Sequence, residues 1–156
     1  MNNDADLVKN EYPPFSVAMS VYKNDNPIFF DRALQSITEN QKVMPTEIVI
    51  IVDGPVDEKI NAVIEKYSEK YGNLNVIRLD KNAGLGNALK LAIENAKYEL
   101  IARMDSDDVS APNRFEQQLE IMTKNSAVDI VGGDISEFIG DENNIVAKRK
   151  VPILDK

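Results

Sequence analysis

The sequence predicts an α/β protein with a Rossmann-like, mostly parallel sheet and helices on both faces of that sheet. Short apolar runs of strand length alternate at least four times with longer segments whose apolar residues recur at helical spacing. This alternation is typical of a parallel sheet wrapped by helices. Several apolar runs also end directly in polar residues, and open α/β folds bind their ligands at the carboxyl ends of such strands.

The predicted elements begin at Phe15, after a flexible lead-in over residues 1–14. The strands are short runs rich in β-branched residues, and the helices carry apolar residues at i, i+3, i+4 and i+7. Asn26-Pro27 is a helix start, and Asp53-Gly54-Pro55 is a turn. We expect strands at 15–22, 47–52, 75–79 and 100–104, helices at about 27–41, 57–71 and 85–96, a further helix from about 110, and strand segments at 129–133, 136–139 and 145–151.

The composition fits one soluble globular domain and excludes several kinds of chemistry. The 156 residues are 43% hydrophobic, with a formal net charge of −8 and with neither histidine nor cysteine. The negative charge argues against nucleic-acid binding, since it repels phosphate backbones. Disulfides, thiol catalysis, zinc–thiolate sites and Ser-His-Asp hydrolysis are also excluded. Without a secretory signal or a long apolar run, we expect a cytoplasmic protein, although an anchor outside this sequence stays open.

The most informative stretch is Leu100–Asp108, in which an apolar strand ends in three carboxylates, Asp105, Asp107 and Asp108. Clustered acids are tolerable when they are solvated or when a cation lies between them. The alternate pair Asp105 and Asp107 suits a hard divalent ion, which takes oxygen ligands. The same residues would also form a solvated turn and helix cap.

Three polar strand ends favour the binding-site interpretation. The segment 22–25 follows the first strand, Asp53-Gly54 follows the second, and Asp105 to Asp108 follow the fourth. Because the strands are predicted to be parallel, these ends meet at one edge of the sheet, with the loop 81–86 beside them. This convergence indicates a metal or ligand site.

From about Phe15 to Phe138 the chain resembles the nucleotide-binding half of a family-2 glycosyltransferase with the GT-A fold. The matching segments stand in the family's order, and together they are far more specific than any one of them. They are the first strand with its polar loop, the second strand IVIIVDG, the segment NAGLGNA from Asn82, and MDSDDV from Met104 followed by Pro112 and Arg114-Phe115.

The resemblance implies a metal-dependent, inverting glycosyl transfer from a nucleotide-diphosphate sugar to a glycan or lipid-linked acceptor, with membrane proximity through regions outside this sequence. Asp105 and Asp107 would hold Mg²⁺ or Mn²⁺. Asp53 would accept a hydrogen bond from the base imide, which favours a UDP- or dTDP-sugar, or would be a turn residue only. Arg103 would neutralise the acids or meet a phosphate, or would be structural. The implied donor-binding residues are Ser20, Tyr22, Asp53, Asn82, Gly84, Arg103, Asp105 and Asp107.

The acceptor-binding half of the family has no counterpart in this sequence. We therefore expect residues 15–156 to form a nucleotide-sugar-binding domain truncated before that half, with the catalytic base beyond Lys156. Such a chain should bind its donor and transfer sugar poorly.

Three other functions share single features with this sequence. In a phosphatase of the haloacid-dehalogenase type, Asp105 would be the nucleophile and Asp107 the acid, but that motif normally follows the first strand. In a phosphoacceptor receiver domain Asp53 would be the acceptor, but only Asp25 follows the first strand where an acid pair is needed. The third is a nucleotide-sugar-binding domain without catalysis of its own.

Overall fold

The computed structural model describes residues 12–151, so most of the predicted lead-in and the last five residues lie outside the described part. The elements alternate as the sequence predicts. They are β1 Phe15–Val21, α1 Pro27–Ile37, β2 Glu47–Val52, α2 Glu58–Lys70, β3 Leu74–Arg78, α3 Leu85–Glu94, β4 Leu100–Met104, α4 Arg114–Lys124, β5 Ile135–Phe138 and β6 Ile145–Arg149.

The first four strands form one parallel sheet in the order β3-β2-β1-β4. The chain therefore builds outward from β1 to β3 and then crosses back to place β4 on the other side of β1. In register, Ala18 of β1 lies beside Val49 of β2 and Arg103 of β4. The reversal of direction makes a topological switch point between β1 and β4, and the crevice outside such a point is where open α/β sheets bind ligands.

Helices cover both faces of this sheet, which confirms the predicted fold class. The helix α3 packs on the face formed by Ala18, Val49 and Ile51, through Ala88 and Ala92. Crossovers between parallel strands are right-handed, so connections that run in opposite directions along the sheet lie on opposite faces. The helices α1 and α2 therefore cover the other face, where they contact each other.

Burial explains why the two central strands are so apolar. Every residue of β2 is buried, and so is every residue of β1 except Ser20. The strands β3 and β4 at the edges are mostly half-buried. Phe15 at the start of β1 contacts Phe115 edge-on, with ring centroids 5.0 Å apart. Burial of a large apolar side chain contributes roughly 1.5–3 kcal/mol, so these central strands dominate the stability of the sheet.

Two predicted helix boundaries differ by several residues from the structure. The helix α1 ends at Ile37 rather than near Gln41, because the Thr38 hydroxyl donates to the Leu34 carbonyl (2.7 Å) and the backbone leaves helical geometry. The helix α4 begins only at Arg114, because Ser110 donates its N–H to the Ser36 hydroxyl (2.9 Å) instead of entering a helix.

The predicted strand over 129–133 was wrong, since this segment has no ladder partner within residues 12–151. It contains two adjacent glycines, 132 and 133, which weaken a strand.

The contacts divide the chain into two compact units, one ending at Phe115 and one beginning at Glu116. The first contains the parallel sheet and every residue of the predicted site. The second contains most of α4 and the antiparallel hairpin β5–β6, whose register shifts at Glu137/Phe138. In the hairpin turn, the Asp141 carboxylate accepts the backbone N–H of Asn143 (2.8 Å). The predicted single domain over 15–156 stays a prediction.

Candidate functional site

The predicted site residues lie at the carboxyl ends of β1, β2 and β4 and in the loop after β3, as the parallel arrangement requires. The structure groups most of these residues into three networks of contacts. One surrounds Asp53, one joins Arg103 to Asp105, and one links the loop after β1 to the loop after β4. Since β1 lies between β2 and β4, the second and third networks lie beside the switch point and the first lies one strand away.

Asp53 binds the loop that precedes α3. Its side chain is only 3% exposed. One carboxylate oxygen accepts the Ala83 N–H (2.6 Å), and the other accepts the Gly84 N–H (3.0 Å) and the Asn82 side-chain amide (3.0 Å). Hydrogen bonds to an ionised acceptor are the strong ones, so Asp53 fixes this loop against the end of β2. Its carboxylate also occupies the positive amino end of α3.

Two glycines at this corner have backbone conformations that L-residues rarely adopt. Gly54 has φ +90° and Gly84 has φ +87°. A Cβ on Gly54 would lie 2.8 Å from the backbone nitrogen of Asn82, whereas a Cβ on Gly84 would meet open space. Gly54 is therefore required by both conformation and packing, and Gly84 by conformation alone. The donor-binding role of Gly84 stays a prediction.

The acidic loop after β4 contains three carboxylates, of which Asp105 is paired with an arginine. Arg103 donates to both oxygens of Asp105, with its Nη2 at 2.9 Å from each. This fork geometry holds the Asp105 side chain in one orientation. Asp107 is exposed and has no hydrogen-bond or ion-pair partner within residues 12–151. The Asp108 carboxylate is likewise exposed and without a hydrogen-bond or ion-pair partner in the described residues, so Asp107 is distinguished by its predicted pairing with Asp105 at alternate positions.

Arg114 lies beneath the same loop. Its guanidinium donates to the Arg103 carbonyl (2.8 Å) at the end of β4. Partial burial lowers the Arg114 pKa, while Asp108 and Asp105 act in the opposite direction. The pKa of Asp108 is raised, first by partial loss of hydration at its carboxyl group and then by the charges of Asp105 and Asp107. The loop therefore carries more negative charge than its neighbours neutralise, which favours binding of a cation.

The loop after β1 is joined to the acidic loop by Asp25. The Ser106 hydroxyl donates to Asp25 Oδ2 (2.8 Å), and the Tyr22 N–H donates to the same oxygen (3.1 Å). Asp25 belongs to the polar segment that the sequence places after the first strand, but it is not among the predicted site residues. The spacing of Tyr22 and Asp25, which suits a turn closed by a carboxylate, was the available signal.

Ser20 and Tyr22 lie at the end of β1. Ser20 is half-buried and pairs in register with Ile51, and Tyr22 is exposed just beyond the last residue of the strand. Both positions are compatible with the predicted donor contacts. Within residues 12–151, no hydrogen bond joins the Asp53 network to the acidic loop. A ligand that contacted both of them would therefore extend across the end of β1.

The acidic loop supplies part of the oxygen coordination that a divalent metal requires. Within residues 12–151 no group of three histidine, cysteine or acidic side chains is arranged to hold a metal ion. The loop offers Asp107, with Asp105 engaged by Arg103. Mg²⁺ in nucleotide sites is commonly held by one or two carboxylates together with substrate phosphates, so the donor set fits a metal that binds jointly with a diphosphate.

Comparison with known proteins identifies the family. The sequence profile described as glycosyl transferase family 2 matches residues 16–153, so the chain belongs to this family. The family match confirms the predicted resemblance, and it favours a glycosyltransferase over the phosphatase and receiver-domain alternatives.

Two relatives show the extent of the similarity. The UDP-Gal:alpha-D-GlcNAc-diphosphoundecaprenol beta-1,3-galactosyltransferase of Escherichia coli is 40% identical over 145 residues, which cover 93% of this chain and 52% of the relative. The amylovoran biosynthesis glycosyltransferase AmsE of Erwinia amylovora is 34% identical over 139 residues, which cover 89% of this chain and 51% of the relative. The chain therefore spans about half the length of these relatives.

A solved structure shows a similar fold. The crystal structure of S. aureus TarS 1-349 in complex with UDP superimposes with a TM-score of 0.62 and 25% sequence identity, covering 73% of this chain and 33% of that chain. Within residues 12–151, none of the helices is both long enough and apolar enough to cross a membrane. The cytoplasmic location stays a prediction.

Proposed function

We propose that this chain is the donor-binding part of a glycosyltransferase that transfers a sugar from a UDP- or dTDP-sugar to an acceptor hydroxyl, with inversion and with the help of a divalent cation. The observation that carries the proposal is the position of the acidic loop. Asp105 to Asp108 follow β4 at the switch point beside β1, and the Asp107 carboxylate there is exposed and unpaired. The relative named for UDP-Gal and the neighbour in complex with UDP support a uridine diphosphate donor.

Asp107 would be the principal protein ligand of Mg²⁺ or Mn²⁺ in this proposal. Asp105 would contribute directly or through water while Arg103 holds its orientation. A bound divalent cation supplies Lewis-acid stabilisation of the charge that gathers on a leaving diphosphate. Arg103 lies next to the acids and supplies a positive charge that limits repulsion between them before a ligand binds.

The end of β1 would position the nucleoside. Tyr22 is exposed beside the crevice, and Ser20 precedes it by two residues. In this structure the Asp53 carboxylate accepts three hydrogen bonds from residues 82–84, and a carboxylate has about four acceptor positions. A contact between Asp53 and the base would therefore use the one remaining position, or would follow a movement of the loop.

The acceptor is proposed from the relatives alone. The Escherichia coli relative is named for a diphosphoundecaprenol-linked acceptor, which supports a glycan or lipid-linked acceptor and an encounter near a membrane. We assign no catalytic base among residues 12–151. Asp134 and Asp141 are exposed and Glu137 is half-buried, and all three belong to the second unit.

Calorimetric titration tests the proposal. UDP, dTDP and GDP are titrated with and without Mn²⁺ into the wild-type chain, into Asp107→Ala and into the control Glu94→Ala. Glu94 ends α3 at the opposite edge of the sheet, so the control removes the same charge away from the site. We expect metal-dependent binding of UDP or dTDP that Asp107→Ala weakens at least about tenfold, or ~1.4 kcal/mol. Equal affinity with and without Mn²⁺, or in Asp107→Ala, would contradict the proposal.

A further inference from the structure

The Asp25 carboxylate joins two loops that are far apart in sequence. Its Oδ2 atom accepts the Tyr22 N–H at 3.1 Å and the Ser106 hydroxyl at 2.8 Å. The Asp25 N–H donates in return to the Tyr22 carbonyl at 3.0 Å, which closes a turn directly after β1. One carboxylate oxygen thus connects the loop after β1 with the acidic loop after β4, across the switch point.

Ser106 is well placed to transmit this contact. It lies between Asp105 and Asp107 in sequence, and it is only 9% exposed although both of its neighbours are more open. Asp105 is held from the other side by Arg103. The acidic loop is therefore attached at two successive residues, and Asp107 follows directly after the second attachment.

We propose that Asp25 is a positioning residue which, through Ser106, fixes Asp107 toward the crevice between β1 and β4. This inference rests on the proposed function. Asp25 acts as a hydrogen-bond acceptor, and its charge is not needed for this role. A further negative charge beside Asp105, Asp107 and Asp108 raises repulsion within the loop, so the geometric contribution of Asp25 is the one that the contacts explain.

Four variants separate these contributions. Asp25→Ala and Ser106→Ala each remove the hydrogen bond between the two residues. The double variant tests whether the two substitutions act through this same hydrogen bond. Asp25→Asn keeps an acceptor oxygen for both donors while it removes the charge. Glu94→Ala serves as the control for a lost carboxylate at the opposite edge of the sheet. Urea unfolding curves of each variant verify that the chain is folded.

The first measurement needs no nucleotide. Amide hydrogen exchange of residues 105–109 is followed in the free chain. We expect faster exchange in Asp25→Ala and in Ser106→Ala, and near wild-type exchange in Asp25→Asn and Glu94→Ala. Unchanged exchange in Asp25→Ala would overturn the inference, whatever the chain binds.

The second measurement is the ratio of the UDP dissociation constants without and with Mn²⁺. We expect Asp25→Ala and Ser106→Ala to lower this ratio by about threefold or more, as expected from loss of the hydrogen bond between Asp25 and Ser106, with no loss in the double variant beyond that of Asp25→Ala. Asp25→Asn should restore the ratio. An equal loss in Asp25→Asn and Asp25→Ala would overturn the positioning role in favour of a role for charge. If exchange rises as expected but wild type shows no dependence on Mn²⁺, the positioning contact stands and the proposed function fails.

Discussion

Gly54→Ala is expected to lower the free energy of unfolding by about 2–6 kcal/mol. The substitution places a side chain at φ +90°, and a strained backbone of this kind costs about 1–3 kcal/mol. The new Cβ would also lie 2.8 Å from the Asn82 backbone nitrogen, an atom that has little freedom to move because the adjacent residues are held by Asp53. Overpacking in such a place costs about 1–3 kcal/mol more.

Urea unfolding of the 156-residue chain measures this effect, and two other glycines provide matched controls. Gly84→Ala has the strained conformation without the close contact, so we expect a loss of about 1–3 kcal/mol. Gly86→Ala lies in α3 with open space around its Cβ, so we expect a gain of about 0.5 kcal/mol. A loss for Gly54→Ala no larger than that for Gly84→Ala would refute the proposed close approach of the two loops.

The remaining predictions concern three carboxylates. Asp53→Ala removes the buried, charged acceptor of two partly buried backbone N–H groups, so it should lower the free energy of unfolding by about 3 kcal/mol in urea titrations; a loss below ~1 kcal/mol would contradict the geometry. Asp108→Asn should raise the free energy of unfolding at pH 7, because the raised pKa of Asp108 means that its ionisation is less favourable in the folded than in the unfolded chain. This gain should shrink as the pH falls through the raised pKa and vanish below the ordinary value of 3.8, which thermal unfolding between pH 3 and pH 7 measures. Glu47→Ala should cost about 2–4 kcal/mol because Ser16 and the Lys97 N–H lose their buried acceptor, while Glu47→Gln should cost less; equal losses in both variants would show that the charge, and not the acceptor, matters.

The fold could be predicted because its strongest signals are local. The runs of Glu47–Val52 and Leu100–Met104 are apolar, bounded and of strand length, and their predicted limits coincide with the observed ones. Parallel pairing and the gathering of strand ends then follow from the alternation with helices. The start of α4 could not be predicted, because it depends on a hydrogen bond between Ser110 and Ser36, which are distant in sequence. The end of α1 depends on the rotation of the Thr38 hydroxyl toward the Leu34 carbonyl, which the apolar spacing does not reveal.

The position of the acidic loop could be predicted, and its contacts less well. The loop could be placed after β4 because clustered carboxylates directly after a short apolar run are unusual in a sequence. The pairing of Asp105 with Arg103 agrees with the interpretation of Arg103 as a charge that neutralises the acids. The engagement of Asp53 by residues 82–84 and of Asp25 by Ser106 depends on contacts between loops, for which neither composition nor spacing provides a signal.

The central claim is that Asp107 holds a divalent cation that also contacts a bound diphosphate. Anomalous X-ray scattering from a crystal grown with UDP and Mn²⁺ tests it most directly, because manganese is located independently of the surrounding atoms. We expect one manganese peak in contact with the Asp107 carboxylate and with the diphosphate, in the crevice between β1 and β4. UDP bound in that crevice with no manganese at Asp107, or UDP bound at the other edge of the sheet, would contradict the claim.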